Sequence, residues 1–168
     1  MPRMPAQEAR RRFTAARVAR LATVDEAGRP HLVPVVFAVR AGPDGAGGSG
    51  GDGIVMAVDD KPKTTTRLKR LRNIAARPAV CLLVDAYGED WGRLWWVRAD
   101  GEARVLPSDA ADTADTADAA DAAVRAERRA ALGRLCDKYP QYRDHPPTGP
   151  VVAVTVLRWT GWRADPTA

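Results

Sequence analysis

The chain has 168 residues, 26 Lys and Arg against 21 Asp and Glu for a formal charge of +5, and 45% apolar residues. That suits one domain spanning residues 1–168 around one core, and the basic balance favours an anionic partner. No run approaches the ~20 apolar residues that cross a bilayer, the first twenty residues lack the apolar segment of a signal peptide, and Cys81 and Cys136 have neither disulfide nor metal spacing. The expectation is a reduced cytoplasmic protein with no metal and no membrane contact.

Glu8 to Arg17 reads as an opening helix with Ala9, Phe13 and Ala16 on one side. Val18 to Val24 reads as a strand, and Asp25 to Pro30 as a turn. His31 to Val39 reads as a second strand that completes a hairpin. Pro34 cannot donate to a ladder and marks an edge, a bulge or an opening. Ala41 to Gly53 (AGPDGAGGSGGDG) is too glycine-rich to pack and is expected to be a flexible loop. It lacks a P-loop's lysine and does not lead into a helix, which weakens a phosphate-cradle reading.

Ile54 to Val58 is a third strand, and Thr64 to Ala76 a helix ended by Arg77-Pro78, with Leu68, Leu71 and Ala75 facing inward. Val80 to Val84 is a fourth strand. Arg93 to Leu106 carries Asp100-Gly101 between two strand-like arms, a hairpin signal. Residues 109–123 form an Ala/Asp-rich low-complexity tract with Asp112, Asp115, Asp118 and Asp121 at every third position. It lacks a calcium loop's glycine and mixed ligands, so it reads as a solvated lead into a helix. That helix runs from Val124 to Tyr139 with Leu132, Leu135, Cys136 and Tyr139 on one face, and Pro140 stops it. Val151 to Trp159 is the last strand. Clustered strands punctuated by two or three helices argue for an α+β domain with an antiparallel six- to seven-stranded barrel.

Nucleophile elbows and metal clusters are absent from the sequence, so any hard chemistry would belong to a cofactor. The richest segment is VDDKPKTTTRLKRLRN, residues 58–73. A strand ends, a proline turns the chain, and a helix starts at three threonines, whose free backbone N–H groups favour an anion. Lys61 and Lys63 flank the turn, and Arg67 follows Lys63 by one helical turn. Two readings stand side by side: a phosphate site, and a solvated basic helix capped by threonine. A nucleic-acid backbone could also meet Arg67, Lys69, Arg70 and Arg72, but no aromatics are interleaved to stack bases. A second segment, DAYGEDWGRLWWVRADG, places Trp95 and Trp96 on opposite faces of one strand, so both faces call for cover: a barrel interior and a subunit interface.

These stretches carry a resemblance. VARLATVDEAGRPHLVPVVFAV, VDDKPKTTTRLKRLRNIAARPAVCLLVD, YGEDWGRLWWVRADGEARV and KYPQYRDHPPTGPVVAVTVLRWTGW resemble the pyridoxamine 5'-phosphate oxidase-like split β-barrel flavoproteins, and more closely their small actinobacterial branch of F-420-dependent enzymes. The resemblance covers the chain apart from the glycine loop and the Ala/Asp tract. It implies a homodimer with cofactor in grooves between the subunits. The cofactor phosphate would fall on Lys61, Lys63, Thr64, Thr65 and Arg67. The ring system would lie along Val35, Val36, Phe37, Met56, Ala57 and Val58, and Trp95, Trp96 and Arg98 would close the groove from the partner. The family's pyridoxamine-phosphate substrate residues are not recognisable, so vitamin B6 oxidation is not implied.

The function these features point to is hydride transfer between the deazaflavin coenzyme F-420 and an unidentified small-molecule substrate. The alternatives are an FMN-dependent oxidoreductase and a non-catalytic carrier of F-420, flavin or haem. Nucleic acid is not an expected partner, and the sequence offers no obvious proton donor.

Overall fold

The computed structural model describes residues 3–42, 51–58, 66–108 and 119–165; for residues 66–68 the backbone alone is described. The elements are α1 (Ala6–Ala15), β1 (Ala19–Val24), β2 (Pro30–Val35), β3 (Ala38–Arg40), β4 (Gly53–Ala57), α2 (Thr66–Ala76), β5 (Ala79–Ala86), β6 (Trp95–Leu106), α3 (Ala119–Lys138), α4 (Pro140–Asp144) and β7 (Val151–Arg163). All seven strands pair antiparallel in the order β2-β1-β5-β6-β7-β4-β3.

That order fixes the shape. β2 and β3 are the two outer strands, yet only Val36 and Phe37 join them. Such a link reaches about 11 Å at most. A flat seven-stranded sheet would hold its edges roughly 29 Å apart, six spacings of about 4.8 Å. The sheet therefore curls until its edges approach, giving the expected α+β split barrel. The single strand expected over His31 to Val39 is divided at this crossing. Pro34 lies on the edge strand β2, opposite Arg20, where its missing N–H leaves no ladder bond unmade.

Alternation fills the barrel. Ala19, Leu21 and Thr23 of β1 are buried while Arg20 is exposed, and Val97, Ala99 and Ala103 of β6 point inward with Val80, Leu82 and Val84 of β5. Phe13 of α1 plugs one end, 4.9 Å from the Phe37 ring and 5.1 Å from Trp159. A second cluster outside the barrel packs Leu135, Ala131 and Tyr139 on Ala38, Val55, Ala57 and Val151. None of the described helices is long and apolar enough to cross a membrane.

Several expectations are corrected. Asp100-Gly101 does not turn a hairpin, because β6 runs unbroken through it with β5 on one side and β7 on the other. The ladder slips there: Asp100 pairs with Arg158 and Gly101 with Val156, leaving Leu157 as a bulge. Glycine is needed for close approach, since a Cβ at Gly101 would lie 2.4 Å from the Thr155 carbonyl oxygen. On α2 the buried side is Asn73 and Ile74 with Leu71 partly covered, and Ala75 is exposed. Pro140 ends α3 but also opens α4, so the described residues hold four α-helices where two or three were expected.

The glycine-rich loop is anchored at its far end. Asp52 is buried, and its carboxylate accepts from Trp159 Nε1 at 2.9 Å and from the Gly42 backbone N–H at 3.0 Å, and pairs with Arg10 at 2.9 Å. Positions 43–50 of that loop and 109–118 of the Ala/Asp tract lie outside the described residues, and α3 begins within the tract at Ala119.

Candidate functional site

The strand β4 ends at Ala57 and α2 begins at Thr66, with the basic segment between them in sequence. Lys61, Lys63, Thr64 and Thr65 lie outside the described residues, as does the side chain of Arg67 in the first turn of α2. Beyond them, α2 is tied to the end of β1 and to the β1–β2 turn. Asn73 Nδ2 donates to Thr23 Oγ1 at 3.0 Å, both groups buried, and Arg77 Nη2 donates to the Glu26 carbonyl at 3.0 Å. Between turn and helix runs a groove of about 510 Å³ lined by Asp25, Glu26, Ala27, Arg29, Lys69, Arg72 and Asn73.

The residues expected beside a ring system split into two environments. Ala38 pairs with Val55, so 36–37 and 56–58 lie alongside one another at the barrel seam. Val35, Phe37, Met56 and Val58 are buried in the barrel core, while Ala57 and Val36 turn toward α3. Their side chains are committed to packing within this subunit.

Trp95 and Trp96 point to opposite faces, as expected from strand geometry. Trp95 faces α1, with the Arg12 guanidinium 5.0 Å from its ring centroid, above a recess of about 310 Å³ that also touches Arg93 and Arg163. Trp96 and Arg98 face outward, over β5 and the start of β6, away from the part of the outer face that α3 covers at β3, β4 and the end of β6. There they line a shallow apolar groove of about 620 Å³ with Arg20, Ala22, Leu32, Cys81, Leu83, Asp85 and Tyr87. Leu32 is 66% exposed and Tyr87 62%. The register makes this one continuous surface across four strands: Leu32 opposite Ala22, Ala22 opposite Cys81, Arg20 opposite Leu83, Leu83 opposite Arg98 and Asp85 opposite Trp96.

The charges on that surface are paired. Arg20 bonds Asp85 at 2.9 Å, and Asp100 lies between Arg98 at 2.9 Å and Arg158 at 3.0 Å. Cys81 is free; burial, aided by the nearby Asp100 charge and opposed by Arg98, pushes its thiol pKa up. It stays protonated at neutral pH and is not an activated nucleophile. Among the described residues no three His, Cys, Asp or Glu side chains gather to hold a metal.

At the seam, Lys138 Nζ donates to the carbonyls of Ala16 at 2.7 Å and Thr14 at 3.1 Å and sits 4.0 Å from the Phe37 ring centroid. Burial, with a smaller push from Arg17, lowers its pKa to about 8.

Sequence reasoning did not single out Arg20, Leu32, Leu83 and Asp85 as one surface. Their period-two spacing marked the outward face, but only the strand order shows that these particular strands are neighbours. It also missed the Thr23–Asn73 bond, for which no local signal exists.

The model of the family described as pyridoxamine 5'-phosphate oxidase matches residues 5–163, nearly the whole chain. The chain belongs to this family. Its split barrel is also that of solved relatives. A FAD-binding protein from Mesorhizobium loti is 19% identical with a TM-score of 0.60, covering 95% of each chain. The FAD binding protein from Mycobacterium smegmatis is 18% identical with a TM-score of 0.55, covering 97% of this chain and 98% of that one. No curated protein matches significantly. At these identities the likeness to solved structures is one of fold.

Proposed function

We propose that the protein is an F-420-dependent oxidoreductase that works as a homodimer in the cytoplasm, with the cofactor between the subunits. When bound, the deazaflavin would supply or accept the hydride exchanged with a small-molecule substrate. The protein's part is to hold and orient both. Lys61, Lys63, Thr64, Thr65 and Arg67 would bind the phosphate at the start of α2, where free helix N–H groups favour an anion. The seam residues Val35, Val36, Phe37, Met56, Ala57 and Val58 would contribute main-chain edges to the ring, since their side chains are engaged in packing. Trp96 and Arg98 would reach the ligand from the partner subunit, across the exposed face they share with Leu32 and Leu83; Trp95, turned to α1, would support that strand from behind.

The observation that carries the deazaflavin over FMN is positive charge that continues past the turn, at Lys69, Arg70 and Arg72 on α2. FMN ends at its phosphate, whereas F-420 continues into a lactyl group and glutamate carboxylates that this charge would meet. Competitive binding of FMN and F-420 at low and moderate salt tests the reading. F-420 is expected to bind more tightly, with an advantage that shrinks as salt rises because exposed pairs are screened. Tighter FMN binding at both salt levels overturns it in favour of an FMN enzyme. A Soret band in the purified protein would instead identify a haem carrier.

A further inference from the structure

We infer that the recess between α1 and the start of β6 is a binding site for a small carboxylic acid with an apolar body, its carboxylate held by Arg93 and Arg163 and its body against Leu94, Trp95 and Ala164. The recess has a volume of about 310 Å³ and lies on the α1 side of β6, opposite the face that carries Trp96 and Arg98. Apart from Trp95, none of the cofactor residues proposed above lines it.

Local geometry builds the walls. Glu8 and Arg12 are one turn apart on α1, and Glu8 Oε1 accepts from Arg12 Nε at 3.0 Å and pairs with its Nη2 at 2.9 Å. That bond holds the Arg12 guanidinium over the Trp95 ring. Trp95 is directly opposite Arg163 in the β6–β7 ladder, so the two side chains stand side by side on the face toward α1. Gly161 lets the N-terminal segment come close to that ladder: a Cβ there would lie 3.0 Å from Met4 Sδ and 3.3 Å from Ala9 Cβ. The last wall is the short 3-10 turn Trp91–Arg93 and the residue after it. The Asp90 carboxylate accepts from the Gly92 N–H at 3.1 Å, and the Leu94 carbonyl accepts from the Ala164 N–H at 2.8 Å. These bonds fix the recess before a ligand arrives, so little ordering is left for binding.

The lining selects the ligand's chemistry. Three guanidinium groups, those of Arg12, Arg93 and Arg163, meet at one recess although like charges repel. Arg12 is committed to Glu8 and Trp95. The Arg93 guanidinium has no hydrogen bond or ion pair among the described residues, and Arg163 uses only Nη1, which reaches Glu8 Oε1 at 3.4 Å. Two guanidinium forks are thus left to face a planar oxyanion, which they match by paired hydrogen bonds. Against the three arginines stand the carboxylates of Glu8 and Asp165, an excess of one positive charge that suits a monoanion better than a phosphate dianion. Leu94, Trp95 and Ala164 supply an apolar wall beside those cations, so a bare inorganic anion would leave half the lining unused. The volume is near the lower end of small-molecule sites, ~300–1,000 Å³, which limits the ligand to about the size of a single substituted ring.

The test is an NMR titration of the full-length protein with benzoate, its neutral isostere benzamide, acetate and inorganic phosphate, following the backbone amides of residues 92–94 and 164 and the Trp95 indole N–H. At low salt benzoate is expected to shift these signals and to bind about tenfold more tightly than benzamide or acetate, as two partly exposed charge pairs would give. Arg93→Gln, at an exposed position, should fold as wild type does and weaken benzoate about fivefold, and Arg93→Glu should abolish its binding. Benzamide binding as tightly as benzoate would mean that the arginines do not recognise the charge, and overturns the site. Acetate or phosphate binding as tightly as benzoate would reduce the recess to a general anion patch, and equally overturns it. So does benzoate affinity unchanged in both Arg93 variants, or benzoate shifts confined to other residues. None of these outcomes bears on the F-420 reading, which is tested by competition with FMN.

Discussion

The Tyr139 hydroxyl lies 3.1 Å from the backbone nitrogen of Phe37 and 2.8 Å from its carbonyl oxygen. A second carbonyl, that of Arg17, is 2.9 Å away. Phe37 is half of the two-residue link between the outer strands of the barrel, so a side chain at the end of α3 satisfies the main chain where it leaves one ladder and has not joined the next. Removing the hydroxyl strands a buried N–H at the seam. Tyr139→Phe should cost about 1–3 kcal/mol, because an unsatisfied buried donor loses its full desolvation compensation. Urea denaturation of the two proteins measures this, and equal midpoints would show that the hydroxyl does not hold the seam.

Gly101 makes a different demand. A Cβ there would stand 2.4 Å from the Thr155 carbonyl oxygen and 2.8 Å from a Val154 methyl. Gly101→Ala should push β6 from β7 beside the Leu157 bulge and destabilise by about 2 kcal/mol, within the range of core overpacking. Had Asp100-Gly101 formed a hairpin turn, Gly101→Asn would be tolerated; in the strand it should be worse than alanine. Thermal denaturation of the two variants separates these outcomes.

Lys138 links stability to pH. Its pKa is about 8 in the folded protein against 10.5 ordinarily, so between these values the unfolded chain binds more protons. Stability from this group therefore rises as pH climbs through 8 toward 10, by on the order of 1 kcal/mol after discounting for solvent screening. Burial shifts Tyr139 in the other sense: its pKa is raised, so its contribution is lost above the ordinary value of 10.0. Denaturation midpoints of wild type and Lys138→Met from pH 7 to 10 should show the rise in wild type alone.

The basic turn carries the binding prediction. Lys61→Ala, Lys63→Ala and Arg67→Ala should each weaken cofactor binding roughly tenfold or more, since a charge-assisted hydrogen bond is worth about 1.5–3 kcal/mol. Fluorescence titration with F-420 and FMN reads the affinity. Wild-type binding of every candidate cofactor by all three variants would mean the phosphate is held elsewhere.

The outer face carries the assembly prediction. Leu32, Leu83 and Trp96 present apolar surface on the outer face of β2, β5 and β6, away from α3, and a second copy would cover it. Light scattering should give a dimer mass for wild type at micromolar concentration with cofactor present. Leu32→Glu, at an exposed position where the monomer fold is not strained, should give a monomer with an unchanged circular dichroism spectrum.

The sequence by itself determined most of the strands and their alternation, because these depend on neighbours a few residues apart: Arg20 between Ala19 and Leu21. It also carried enough of the family's pattern to identify the split barrel. It misread Asp100-Gly101, because a turn dipeptide reports local preference while the close approach of Thr155, more than fifty residues away, decides what glycine is for. It ran His31 to Val39 together, because nothing local says that the chain must cross from one edge of the sheet to the other. Which residues share the outer groove, and that Asn73 rather than Ala75 turns inward to meet Thr23, depend on strand order and helix rotation. Those are settled by packing among distant segments, where burial of many side chains outweighs the few tenths of a kcal/mol by which local preferences differ.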